Sequence, residues 1–279
     1  MQALTRVLVA AVATLGVTAA NAGTIIVNHA DIGTGVKLDG WALTNHRDTA
    51  STVAEINGSN PRAGDGSVQM SLTNGVGKAD YVHYWGVVAG RTLGNLNALS
   101  FDWYRASGGS AAAHLTPAMR LIYDIDGDVS TRNDVGYLVW ENVYNGGQAG
   151  VPVTQDAWVS SDILGGNFWQ RQTGNSLTVE HYGYDLADWM TGSLAAPAMQ
   201  VGAGATILGI EFGIGSGWTG SFDGYVDMVS FGFEGEDITT FNFEAENRQP
   251  PVDVPEPGSL ALLGLGMLGL AAARRRLQR

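Results

Sequence analysis

Trp218-Thr219-Gly220-Ser221-Phe222-Asp223-Gly224-Tyr225-Val226-Asp227-Met228-Val229-Ser230-Phe231-Gly232-Phe233 decides the fold class. Tyr225, Asp227, Val229, Phe231 and Phe233 fall on every second position. That is the period of a strand, whose side chains alternate between two faces. Asp223-Gly224 and Thr219-Gly220 punctuate the run as turn chemistry does. Thr239, Phe241 and Phe243 repeat the alternation downstream, and Ile210, Phe212 and Ile214 repeat it upstream.

The same pattern extends toward the N-terminus. Val68, Met70 and Leu72 share one face of Ser67–Leu72, and Tyr81–Val88 is a second, aromatic strand. Leu99, Phe101 and Trp103 alternate with Ser100, Asp102 and Tyr104. Met119–Ile125 and Gly136–Tyr144 read as two strands joined by an acidic loop. With 39 glycines and little helical periodicity, the expected fold is all-β, an antiparallel β-sandwich. One segment departs from it. Tyr182, Leu186, Trp189 and Met190 recur at spacings near four and three, predicting one short amphipathic helix within Leu177–Met190, with Asp185 and Asp188 outward. Pro197 ends that region.

The chain of 279 residues divides into four parts. Arg6, the apolar stretch Val7–Ala20 and the small-x-small site Ala20-Asn21-Ala22 have the layout of a secretory signal peptide, residues 1–22. Residues 23–245 are the β-sandwich domain. Residues 246–257 hold Pro250, Pro251, Pro255 and Pro257, an extended tether. Residues 258–279 are an uncharged run from Gly258 to Ala273 followed by Arg274-Arg275-Arg276. As a helix that run covers roughly 24 Å, short of the ~30 Å of bilayer hydrocarbon but within reach of snorkelling arginines. The expectation is a single transmembrane helix at the inner membrane, arginines cytoplasmic and body outside.

Pro255-Glu256-Pro257, the Gly- and Leu-rich span and the cluster Arg274, Arg275 and Arg276 together resemble the PEP-CTERM sorting signal of Gram-negative bacteria, over residues 254–279. The resemblance implies recognition by exosortase, a membrane transpeptidase that cuts near Pro-Glu-Pro, and transfer to the cell surface or an extracellular matrix. The stretch Trp218–Phe231, with Val226-Asp227-Met228-Val229 at its centre, resembles the closing strands of jelly-roll domains in secreted, lectin-like proteins. In those domains, many of them carbohydrate-binding, the strand returns beside the first one.

Composition excludes several functions. The chain has no cysteine, so it has neither disulfides nor thiol chemistry. It carries 27 Asp and Glu against 15 Lys and Arg, and five of those basic residues lie in the terminal signals. A body so acidic repels phosphate backbones, and nucleic acid is not an expected partner.

Candidate sites follow from residue type. Asp124, Asp126 and Asp128 alternate around Gly127, with Asn133 and Asp134 across the loop. Several carboxylate oxygens on one turn suit Ca²⁺, which takes six to eight oxygens; the same residues also make an ordinary Asp-Gly hairpin turn. Of the eight tryptophans, Trp41, Trp140, Trp169 and Trp218 lie near glycine-rich or polar loops. A pyranose stacks its apolar face on such a ring, and exopolysaccharide is the expected ligand. For catalysis there is no Glu-x-Asp-x-x-Glu run, no His-x-x-x-His and no Gly-x-Ser-x-Gly. The expectation is a non-catalytic surface or matrix protein. The alternative is a polysaccharide hydrolase whose carboxylates, such as Glu180 and Glu211, meet only in three dimensions.

Overall fold

A computed structural model describes residues 23–173, 177–191, 194, 198–215 and 217–246. The expected signal peptide, the tether beyond residue 246 and the transmembrane helix lie outside the described residues. In chain order the elements are β1 (Gly23–Val27), β2 (Gly40–Arg47), β3 (Thr52–Asn57), β4 (Ser67–Leu72), β5 (Lys78–Tyr84), β6 (Leu96–Arg105), β7 (Ala118–Asp124), β8 (Val135–Trp140), β9 (Trp158–Asp162), β10 (Trp169–Gln172), β11 (Thr178–Val179), α1 (Leu186–Met190), β12 (Thr206–Gly215), β13 (Phe222–Phe233) and β14 (Thr239–Phe243).

These strands form two sheets, the all-β sandwich with one short helix that the sequence pattern implies. The second sheet runs β11-β10-β8-β7-β12-β5-β2, with every neighbouring pair antiparallel. The first sheet is built on β13. One edge of β13 pairs with β6, which in turn pairs with β9. Its other edge is shared: β4 takes Phe222–Val226 and β14 takes Val229–Phe231. β3 extends the sheet beyond β4, and β1 lies parallel to β14. The strand that returns beside the first is therefore β14, not the Val-Asp-x-Val strand.

The fork has a local cause. At Met228 the backbone takes φ 51°, a left-handed value that few non-glycine residues adopt. The pairing with β6 slips between Asp227 and Ser230, a β-bulge. The bulge resets the phase of the strand. Val226 and Val229, an odd number of residues apart, are both fully buried in the core. Tyr225 instead meets Tyr104 edge to face at 5.7 Å. The strict alternation expected from Tyr225 to Phe233 thus holds only beyond the bulge.

Aromatic rings fill the space between the sheets. Trp41 touches Phe241 and Phe243 edge-on at 5.2 Å and His83 at 5.3 Å. Phe212 stacks on Tyr81 at 5.5 Å. Burying each such ring contributes roughly 2–3 kcal/mol. The Arg91 guanidinium caps this cluster, 5.0 Å from the Trp85 ring, while its other side pairs with Glu236 at 2.9 Å.

The helix is shorter than its periodicity predicts. Thr178 and Val179 are β-branched and pair with β10. Asp185 then opens α1 with a capping box, its side chain accepting from the Asp188 N–H at 2.9 Å. Leu186 and Trp189 point inward, and the Trp189 Nε1–H donates to the Phe168 carbonyl at 2.8 Å.

Candidate functional site

The second sheet has a second face, turned away from the first sheet. Cross-strand register places Trp169 (β10), Val139 (β8), Arg120 (β7), Glu211 (β12), Val82 (β5) and Ala42 (β2) in one row across it. A parallel row holds Arg171, Tyr137 and Ile122. Neighbouring strands lie ~4.8 Å apart, so the face is about 29 Å wide across seven strands. Two adjoining hollows lie on it, each of about 450 Å³, and both are lined by Asn45, Tyr137 and Glu211. Together they make one groove.

One half of the groove is polar. Arg120 Nη1 donates to Glu211 Oε1 at 2.6 Å and to Asp80 Oδ1 at 2.9 Å. Lys78 Nζ reaches Asp80 Oδ2 at 2.7 Å, and Asn45 Nδ2 donates to the same oxygen at 2.8 Å. Asp80 is wholly buried and Glu211 nearly so. Burial works against the charge on Arg120, and the two carboxylates outweigh it and hold the guanidinium protonated. Burial pushes the Glu211 carboxyl up, against the pull of Arg120. Tyr137 is pushed up to about 12, mainly by burial and also by Glu211. Gly213 is the register partner of Asp80, and a Cβ there would collide with Asp80 Oδ1 and crowd Arg120 Nη1. Only glycine leaves room for the pair.

Beside this network Trp169 Nε1–H donates to Glu141 Oε2 at 2.9 Å. Burial raises the Glu141 carboxyl, and that hydrogen bond opposes the rise. Trp169 and Trp218 are half-buried, and both line the polar hollow. The other half of the groove is apolar, with Val82, Ile122 and Leu208 packed against Tyr84 and Tyr137. An aromatic wall therefore stands beside an amide, a guanidinium and carboxylates, a mix of stacking and hydrogen-bonding groups.

The four tryptophans separate cleanly. Trp169 and Trp218 stand in the groove. Trp41 and Trp140 are 3% exposed, inside the core, and reach no ligand without unpacking it. Trp140 meets Phe101 edge-on at 5.5 Å. Sequence reading missed Asp80 on β5, Arg120 on β7, Tyr137 on β8 and Glu141 just past β8, which look like unrelated single polar residues. Glu180 is exposed just past β11, and Glu211 lies on β12 four strands away. That is about 19 Å along the sheet, beyond the ~5–10 Å of a glycosidase pair.

The acidic loop joins β7 to β8. It brings together Asp124, Asp126 and Asp134, one carboxylate oxygen of each within 4.8 Å of the others. Asp128 is not among them. Its Oδ1 accepts from the Ser130 N–H at 3.0 Å and from the Ser130 hydroxyl at 2.6 Å.

Comparison with known proteins gives one short motif match and several distant structural likenesses. No curated protein matches the chain. A family 30 carbohydrate-binding module of a cellulosomal cellulase of Clostridium thermocellum is 11% identical, with 66% of this chain and 84% of that one covered and a TM-score of 0.36. A structure of carbohydrate-binding modules of the β-sandwich superfamily is 14% identical at a TM-score of 0.34; 70% of this chain is covered, and the chain spans 58% of that one. A β-1,2-glucanase from Parabacteroides distasonis is 13% identical, with 77% and 24% covered and a TM-score of 0.32. Likenesses this distant do not bear on the ligand. The family described as the PEP-CTERM protein-sorting motif matches residues 253–276. The chain therefore carries a PEP-CTERM sorting motif, the mark of an exported protein of Gram-negative bacteria.

Proposed function

We propose that the protein is a non-catalytic surface or matrix component whose β-sandwich binds exopolysaccharide along the groove of the second sheet. The observation that carries this reading is the pairing of Trp169 with Glu141 beside the Asp80–Arg120–Glu211 network. The indole is held edge-on to a carboxylate, so its orientation is set before any ligand arrives. A pyranose ring stacks on it, and Asn45, Arg171 and Tyr137 supply hydrogen bonds to hydroxyls. The buried ion network fixes the floor.

The termini complete the reading. Residues 1–22 direct export and are cleaved after Ala22. The run 258–273 holds the chain in the inner membrane while exosortase acts at Pro255-Glu256-Pro257, and the body passes to the cell surface or matrix. The test is retention of the purified full chain on the producer's exopolysaccharide, with Trp169→Ala alongside. Equal retention of the two, or none above an unrelated acidic protein, removes the binding role.

A further inference from the structure

We propose that Asp124, Asp126 and Asp134 hold one calcium ion in the loop between β7 and β8. Oxygens that share a calcium at ~2.4 Å lie at most ~4.8 Å apart, and the three carboxylates meet that limit. Asp124 is 0% exposed, at the last position of β7. Its Oδ1 accepts from the Gly127 N–H at 2.7 Å, but its Oδ2 is buried with no hydrogen-bond partner among the described residues. Asp134 Oδ1 is buried and unpartnered in the same way, while its Oδ2 accepts from the Asp126 N–H at 3.3 Å. Among the described residues no lysine or arginine forms an ion pair with any of the three.

Three carboxylates held together, two with an empty buried oxygen, repel one another and lack their compensating charge. A cation at their centre supplies both. The donors are all oxygen, with no imidazole or thiolate, which selects a hard ion. Calcium fits better than magnesium. Magnesium demands a near-ideal octahedron, whereas calcium accepts an irregular set completed by loop carbonyls and water. Gly127, at φ 76°, lets the loop turn back over the site. The ion pins the start of β8 to the end of β7, because Asp124 and Val135 are register partners.

Calorimetric titration of the full chain with calcium chloride tests the assignment. The wild type takes up one calcium, with a dissociation constant near the ~0.1–1 mM of extracellular calcium modules. Asp126→Asn changes an exposed side chain and leaves the fold intact, so it reports the site even if Asp124→Asn destabilises the protein. Asp126→Asn and Asp134→Asn each weaken binding at least about tenfold. Asp128→Asn, whose carboxylate is turned to Ser130, binds within about twofold of the wild type. The proposal is overturned if the wild type takes up no calcium by about 10 mM. It is also overturned if Asp126→Asn binds as tightly as wild type, or if Asp128→Asn loses as much as Asp126→Asn.

Discussion

The backbone N–H of Phe243 on β14 donates to Asp227 Oδ1 on β13 at 2.9 Å, at the point where the first sheet divides. The same oxygen accepts from Met228 at 2.7 Å, and Oδ2 accepts from Ala63 at 3.3 Å. One buried carboxylate thus ties together the bulge, β14 and the loop entering β4. It serves three backbone groups that the fork would otherwise leave unpaired.

Burial raises Asp227 to about 7, and its three backbone hydrogen bonds do not offset the rise. The folded state therefore holds a proton that the unfolded chain releases near pH 4. Stability from this group is fullest below pH ~4 and falls as pH rises toward ~7. Asp227→Asn, measured by urea unfolding across that range, removes this falling component. It also lowers stability at pH 5 by about 1–3 kcal/mol, because an amide nitrogen cannot accept a backbone N–H.

His83 works in the opposite sense. Burial among Trp41, Trp85 and Phe241 lowers it to about 4. The unfolded imidazole takes up a proton near pH 6.5 and the folded one does not, so this group removes stability as pH falls from ~6.5 to ~4. Its Nδ1 has no hydrogen-bond partner among the described residues. His83→Phe is expected to flatten the acid side of a thermal-midpoint profile, leaving the midpoint at pH 7 unchanged or higher.

Arg120→Met leaves Asp80 and Glu211 facing each other with their shared donor gone. Breaking a buried pair on one side costs about 3–5 kcal/mol. Chemical denaturation of the variant at pH 7 is expected to show a loss in that range. The loss shrinks as pH falls, because burial raises the Glu211 carboxyl and it regains its proton sooner than an ordinary carboxylate.

Much of the fold is legible in the sequence, and the reasons for the gaps are physical. Ser67–Leu72 is β4 to the residue, because Val68, Met70 and Leu72 face a core and the turn before them is sharp. The bulge at Met228 left no trace, since Val226-Asp227-Met228-Val229 alternates acceptably in either phase. Edge strand β1, with Gly23–Ile25 exposed, has no period to detect. β10 and β11 are too short to show one. The groove was hidden for a different reason. Trp169 and Trp218 were visible as candidates, but Asp80, Arg120 and Glu211 become a site only when β5, β12 and β7 are neighbours. That order places residues 40 and 91 positions apart side by side.

Processing of the tail has its own test. Mass spectrometry of the protein released from the cell surface is expected to show a chain that starts at Gly23 and ends close to Pro257. Recovery of surface protein that still carries Arg274–Arg276 contradicts removal of the anchor.

The central claim is that the outer face of the second sheet takes up polysaccharide. Affinity electrophoresis of the full chain in gels containing the producer's exopolysaccharide measures this directly. Wild type is expected to be retarded, and Trp169→Ala to bind at least about tenfold more weakly, as loss of a central aromatic anchor does. Unretarded wild type, or a Trp169→Ala variant retarded as strongly as wild type, contradicts it.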